Sequence, residues 1–129
     1  MFRNIKNADG AVAPFEYLPC SAITPKNGMA MTVTGGKLAI ASGTTKPSYI
    51  CVAERDTAVA AGELIPVIRV DEQTIFESQL SAAGTALNIG DKVTIASDGL
   101  RVTATTTGGV AEIVAIEDTA VGGNVHVRF

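Results

Sequence analysis

The sequence predicts an all-β protein: a compact barrel or clip-like domain built from two related β units, behind an extended N-terminal arm. Composition is the first reason. Ala, Gly, Thr and Val supply 19, 13, 14 and 13 of the 129 residues, which suits short strands joined by Gly-containing turns. Charged residues make up only 18% and Trp is absent. A long-helix protein is richer in Leu, Glu and Lys, and a disordered chain is far less apolar. Self-similarity is the second reason. At an offset of 62, residues 27–67 fall on residues 89–129 without a gap, and 11 of 41 positions are identical. This composition gives about three identities by chance at any one offset. The identities include Gly28/Gly90, Thr32/Thr94, Val52/Val114 and the run from Asp56/Asp118 to Val59/Val121. Conservative pairs add to them: Met31/Val93, Cys51/Ile113, Ile65/Val127 and Val67/Phe129. With a one-residue slip, Phe15-Glu16 also falls on Phe76-Glu77.

Residues 1–14 read as the arm. Phe2, Ile5 and Val12 stand among Arg3, Lys6 and polar residues, and Pro14 ends the segment. Such a stretch lacks the pattern to fold alone, yet its apolar residues gain by docking. An extended arm can add a strand to a partner's free edge. Phe2, Arg3, Ile5, Lys6, Val12 and Pro14 are therefore the candidate partner-binding residues, with the two cations suited to an acidic surface. Truncation of residues 1–12 is expected to leave the fold intact and to abolish partner binding.

Residues 15–129 read as the β domain, in units of about 15–75 and 76–129. Each unit runs strand, tight turn, strand, loop, strand, acidic turn, strand. Met31 and Val33 alternate before Thr34-Gly35-Gly36, and Leu38 and Ile40 resume the alternation. Val93 and Ile95 precede Ser97-Asp98-Gly99, and Leu100 and Val102 resume it. Gly-Gly and Asp-Gly supply the positive φ of a tight hairpin. Third strands are expected over residues 48–53 and 111–116. Asp56 and Asp118 are placed to cap a single helical turn that Gly62, or Gly122 and Gly123, ends. Last strands are expected over 64–70 and 124–129, with Val125, Val127 and Phe129 on one face. Residues 74–80 form one more strand or a short helix.

The chemistry the chain could perform is limited. A net charge of −3 and a pI near 5.0 give no basic footprint for nucleic acid. Cys20 and Cys51 form no C-x-x-C pair and read as reduced thiols, Cys51 as a small hydrophobe. That points to synthesis in the cytoplasm. No apolar run has the length of a membrane span. His126 stands at the position of Leu64 in the other unit and reads as a solvent-facing strand residue, with neither an orienting carboxylate nor a nucleophile marked. Glu54 with Asp56, and Glu117 with Asp118, lack the spacing of a calcium loop. Lys37 at a hairpin tip resembles the modified lysine of carrier domains in position but not in its neighbours. The stretch G-T-T-K-P at 43–47 is no P-loop. No catalytic, cofactor or metal residue is assigned, and the chain is read as a non-enzyme.

Several segments resemble the small head-decoration, or cement, proteins of tailed bacteriophages. They are G-M-A-M-T-V-T-G-G-K-L-A-I, I-C-V-A-E-R-D-T-A-V-A-A-G-E-L-I-P-V, and the echoes G-D-K-V-T-I-A-S-D-G-L and A-I-E-D-T-A-V-G-G-N-V-H-V. The likeness covers residues 15–129. It implies a structural virion protein, made in the host cytoplasm, that binds the outer surface of the capsid and stabilises it against internal DNA pressure. The implied partners are the major capsid protein, through the arm, and neighbouring copies of the chain. Relatives commonly form trimers, but a duplicated chain can fill two equivalent positions alone, so dimeric and monomeric binding stay open. The alternative is a non-catalytic adaptor in a tail, fibre or head–tail assembly.

Overall fold

A computed structural model describes residues 1–6 and 14–129. Ten strands make up the described fold: β1 (Arg3–Lys6), β2 (Phe15–Pro19), β3 (Ala30–Thr34), β4 (Lys37–Ile40), β5 (Tyr49–Cys51), β6 (Leu64–Arg69), β7 (Ile75–Gln79), β8 (Lys92–Val93), β9 (Ala111–Ile116) and β10 (Asn124–Arg128). They form two five-stranded sheets, ordered β2-β6-β5-β3-β4 and β1-β7-β10-β9-β8, and every ladder is antiparallel. No helix occurs among the described residues. Each sheet closes into a small barrel through a single parallel bridge, Cys20 to Leu38 in the first and Leu80 to Val102 in the second. The serine after each bridge donates its N–H across it, Ser21 to Leu38 O at 3.0 Å and Ser81 to Val102 O at 2.8 Å.

The two barrels share one pairing scheme. Ala30 pairs with Ile50 and Ile50 with Ile68, just as Lys92 pairs with Glu112 and Glu112 with Arg128. Gly28 N bonds to Cys51 O, and Gly90 N bonds to Ile113 O. Through β3, β5, β8 and β9 the correspondence keeps the offset of 62. In the outer strands it becomes 60: Cys20 N bonds to Glu63 O as Leu80 N bonds to Gly123 O, and Leu18 pairs with Ile65 as Ser78 pairs with Val125. Val67 thus corresponds to Val127 rather than Phe129, and Phe15 to Ile75 rather than Phe76. The second copy is two residues shorter between its third strand and the turn before its last one.

Turn chemistry accounts for the hairpins. Thr34 pairs with Lys37 across Gly35 and Gly36, both at positive φ, the conformation a two-residue hairpin with native twist requires. Around Ser97-Asp98-Gly99 the loop is wider. Ala96 N bonds to Arg101 O, Asp98 accepts from Leu100 N, and the flanking strands shrink to isolated bridges. The expected helical turns do not form. Val59 N is held by Ile23 O, which keeps that segment extended, and Asp118 closes a local turn by accepting from Ala120 N at 2.9 Å. Residues 74–80 resolve as strand β7.

Alternation fills each barrel separately. Cys20, Met31, Leu38, Cys51, Ile65 and Val67 line the first interior. Leu80, Val93, Val102, Ile113, Val125 and Val127 line the second. The barrels meet where the outer face of the first sheet presents Ala30, Ile50 and Ile68, all buried in the second cluster. The matching row on the second barrel is Lys92, Glu112 and Arg128, with Glu112 and Arg128 in an ion pair at 3.1 Å. One copy spends this row on the junction and the other presents it to solvent.

Candidate functional site

The residues expected to meet a partner divide into two groups. Phe2 is 2% exposed. Its ring stands edge-on to Phe129 at 5.3 Å, and Phe129 in turn lies 5.8 Å from Phe76. Phe2 N donates to Gly28 O of the first barrel at 2.8 Å. Arg3 pairs with Glu77 across the β1–β7 ladder, and their side chains form an ion pair at 2.8 Å. Residues 1–6 are therefore not an uncommitted arm. The Phe2 ring loses more water-exposed surface in the chain's own junction than a polar arm gains by staying free. Ile5, Lys6 and Pro14 remain exposed, and Val12 lies outside the described residues.

His126 stands in a cluster that the sequence does not mark. It faces Glu77 across the β7–β10 ladder. Its Nε2 lies 2.9 Å from Glu117 Oε1 and 3.8 Å from Glu77 Oε2. The Glu117 contact is close enough for an ion pair but outside hydrogen-bond geometry. One imidazole and two carboxylates within 4.8 Å of one another are donors of a kind that bind divalent cations. Arg3 already places a cation on Glu77, however, and through Glu77 the ladder pairings with Arg3 and His126 tie β1 and β10 to β7. The structural counterpart of His126 is Pro66, not Leu64.

The other candidates resolve into structural roles. Glu54 accepts from Asn27 N at 2.8 Å and pairs with Lys26 at 3.1 Å; the backbone bond, then Lys26, holds its carboxyl below the ordinary range. Asp56 is exposed on a turn. Cys20 and Cys51 are free and buried. Burial pushes the Cys51 thiol up to about 11 and raises that of Cys20, so neither is a ready nucleophile. An open cleft beside the junction is lined by Lys46, Glu72, Lys92, Glu112 and Arg128. Its charges alternate in sign, and no nucleophile and base converge there.

An apolar surface not foreseen from the sequence lies on the outer face of β2 and β6. Cross-strand pairs Tyr17/Pro66 and Pro19/Leu64 stand side by side, beyond Phe15/Ile68. Phe15, Tyr17 and Leu64 are 60%, 64% and 58% exposed. Aromatic side chains carry about 150–250 Å² each, so the patch reaches the several hundred Å² at which an exposed apolar face marks an interaction site. The second barrel supplies an internal control. The positions of Phe15, Tyr17, Pro19, Leu64 and Pro66 are taken there by Ile75, Glu77, Gln79, Asn124 and His126, and β1 covers the strand edge. The signal is present in F-E-Y-L-P, where Phe15, Tyr17 and Pro19 are apolar on one face and Leu18 beside Glu16 adds an apolar residue to the other.

No protein-family model matches the chain, and no curated protein is significantly similar to it. Among the described residues no helix is long and apolar enough to cross a membrane.

Proposed function

We propose that this chain is a non-catalytic structural protein that binds the outer surface of an assembled bacteriophage capsid and stabilises it, as head-decoration proteins do. The observation that carries the reading is the exposed Phe15–Tyr17–Leu64 face, whose Tyr17 and Leu64 positions are taken by Glu77 and Asn124 in the other barrel. A surface of this size is small beside the roughly 800 Å² per partner of a stable isolated complex. It suits a protein that acts in many copies on a repeating lattice, where each contact is modest and the shell gains from their sum. Low charge and few long side chains limit the entropy lost when such a surface orders.

Co-sedimentation of the purified protein with capsid shells of the same genome, before and after shell expansion, tests this. Saturable binding to expanded shells at a fixed ratio to the major capsid protein is expected. Leu64→Asp should weaken that binding without changing the unfolding midpoint. Wild-type protein that ignores both shell forms overturns the reading and turns attention to tail and fibre components.

A further inference from the structure

The two barrels differ at their seams. In the second barrel, β7 is bridged to the neighbouring strand only at Leu80 and Val102, and β1 covers the rest of its outer edge through Arg3/Glu77, Asn4/Phe76 and Lys6/Ile75. In the first barrel, β2 is bridged to β4 only at Cys20 and Leu38. Among the described residues no strand covers its outer edge; β2 ends its sheet. The bond from Cys20 N to Glu63 O fixes the phase of the β2–β6 ladder. In antiparallel pairing successive residues bond to opposite sides, so Glu16 and Leu18 bond to β6 while the N–H and C=O of Phe15 and Tyr17 face outward at the seam.

We propose that this seam accepts an extended strand from the major capsid protein, paired antiparallel to β2 as β1 is paired to β7. The proposal rests on the decoration reading and names how that surface is held. A strand of this chain's own kind is a poor occupant. β1 cannot serve a second copy without withdrawing Phe2 from beside Phe129. Two β2 strands paired about Tyr17 would set Phe15 against Pro19, which has no N–H to give. The occupant's chemistry follows from the same comparison. Tyr17 replaces Glu77, the carboxylate that holds Arg3, so the incoming strand needs an apolar residue where β1 carries its arginine. Phe15 and Tyr17 then lose their exposure to that residue and its neighbours. Pro14 and Pro19 flank the edge and confine pairing to the residues between them, which fixes the register of a short segment.

Hydrogen exchange on the full chain, free and bound to expanded shells, tests the proposal. In the free protein the Tyr17 amide is expected to exchange fast and the Glu77 amide slowly. On binding, Tyr17 should gain about 100-fold protection, the mark of a new ladder bond. Slow exchange at Tyr17 in the free protein, or binding without protection there, overturns the seam while leaving decoration standing. Absence of wild-type binding overturns both. A second comparison separates backbone from side chain: Tyr17→Pro and Tyr17→Thr both lose the ring, but only the first loses the outward N–H. Tyr17→Pro should bind about tenfold more weakly than Tyr17→Thr, and equal affinity overturns the strand.

Discussion

Phe2 and Cys51 show how single side chains act here through burial rather than chemistry. Truncating Phe2 removes an aromatic wedge from a junction that cannot close behind it, since β1 is pinned by its ladder to β7. Phe2→Ala should cost about 3–5 kcal/mol, read as a lower urea midpoint. Cys51 offers a pH test. Its folded thiol titrates near 11, above the ordinary thiol of the unfolded chain. Between these values the unfolded state has released its proton and the folded state has not, so stability falls as pH rises. The loss should begin near pH 9, reach about 2–3 kcal/mol by pH 11, and shrink in Cys51→Ala. Thiol reagents at neutral pH should modify neither cysteine until the protein unfolds.

At the scale of elements, β1 separates what the sequence reveals from what it does not. The hairpin at Gly35-Gly36 is legible because only a turn explains two adjacent glycines between alternating runs. β9 is legible from its match to the apolar run around β5 in the other unit. R-N-I-K has no alternation to read, and its partner β7 lies some 70 residues away, so only the folded chain identifies it as a strand. The repeat shows a different limit. The shared Asp-Thr-Ala-Val run draws a gapless alignment through the place where the second copy is two residues shorter, and every correspondence beyond it slips. The Phe15–Tyr17 face is hard to read from sequence for a related reason: its meaning lies in the contrast of Tyr17 with Glu77, which requires the right register. Removing residues 1–6 uncovers the β7 edge and the Phe129 ring. The truncated chain should melt at least about 10 °C lower, where the sequence expectation was an intact fold.

For the molecule as a whole, the row Ala30–Ile50–Ile68 against Lys92–Glu112–Arg128 explains why the first barrel packs on the second through this face while the second leaves the matching face in solvent. A row left in solvent is stable when it is polar, and the second barrel's row carries its own ion pair. Ile50→Glu places a carboxylate, stripped of water, in the junction and should abolish cooperative folding. Glu112→Ile at the matching position should leave the melting curve nearly unchanged and instead promote self-association, visible by light scattering. The topology also sets a timetable for synthesis. The five strands of the first sheet all lie within residues 15–69, so they can pair while the second sheet is still being made. Until then Ile50 and Ile68 wait uncovered, and β1 waits longest, because β7 and Phe129 complete its site. With translation at about 5–20 residues per second, that interval lasts several seconds. Phe2 leaves the ribosome well before β7 and Phe129, the residues that bury it.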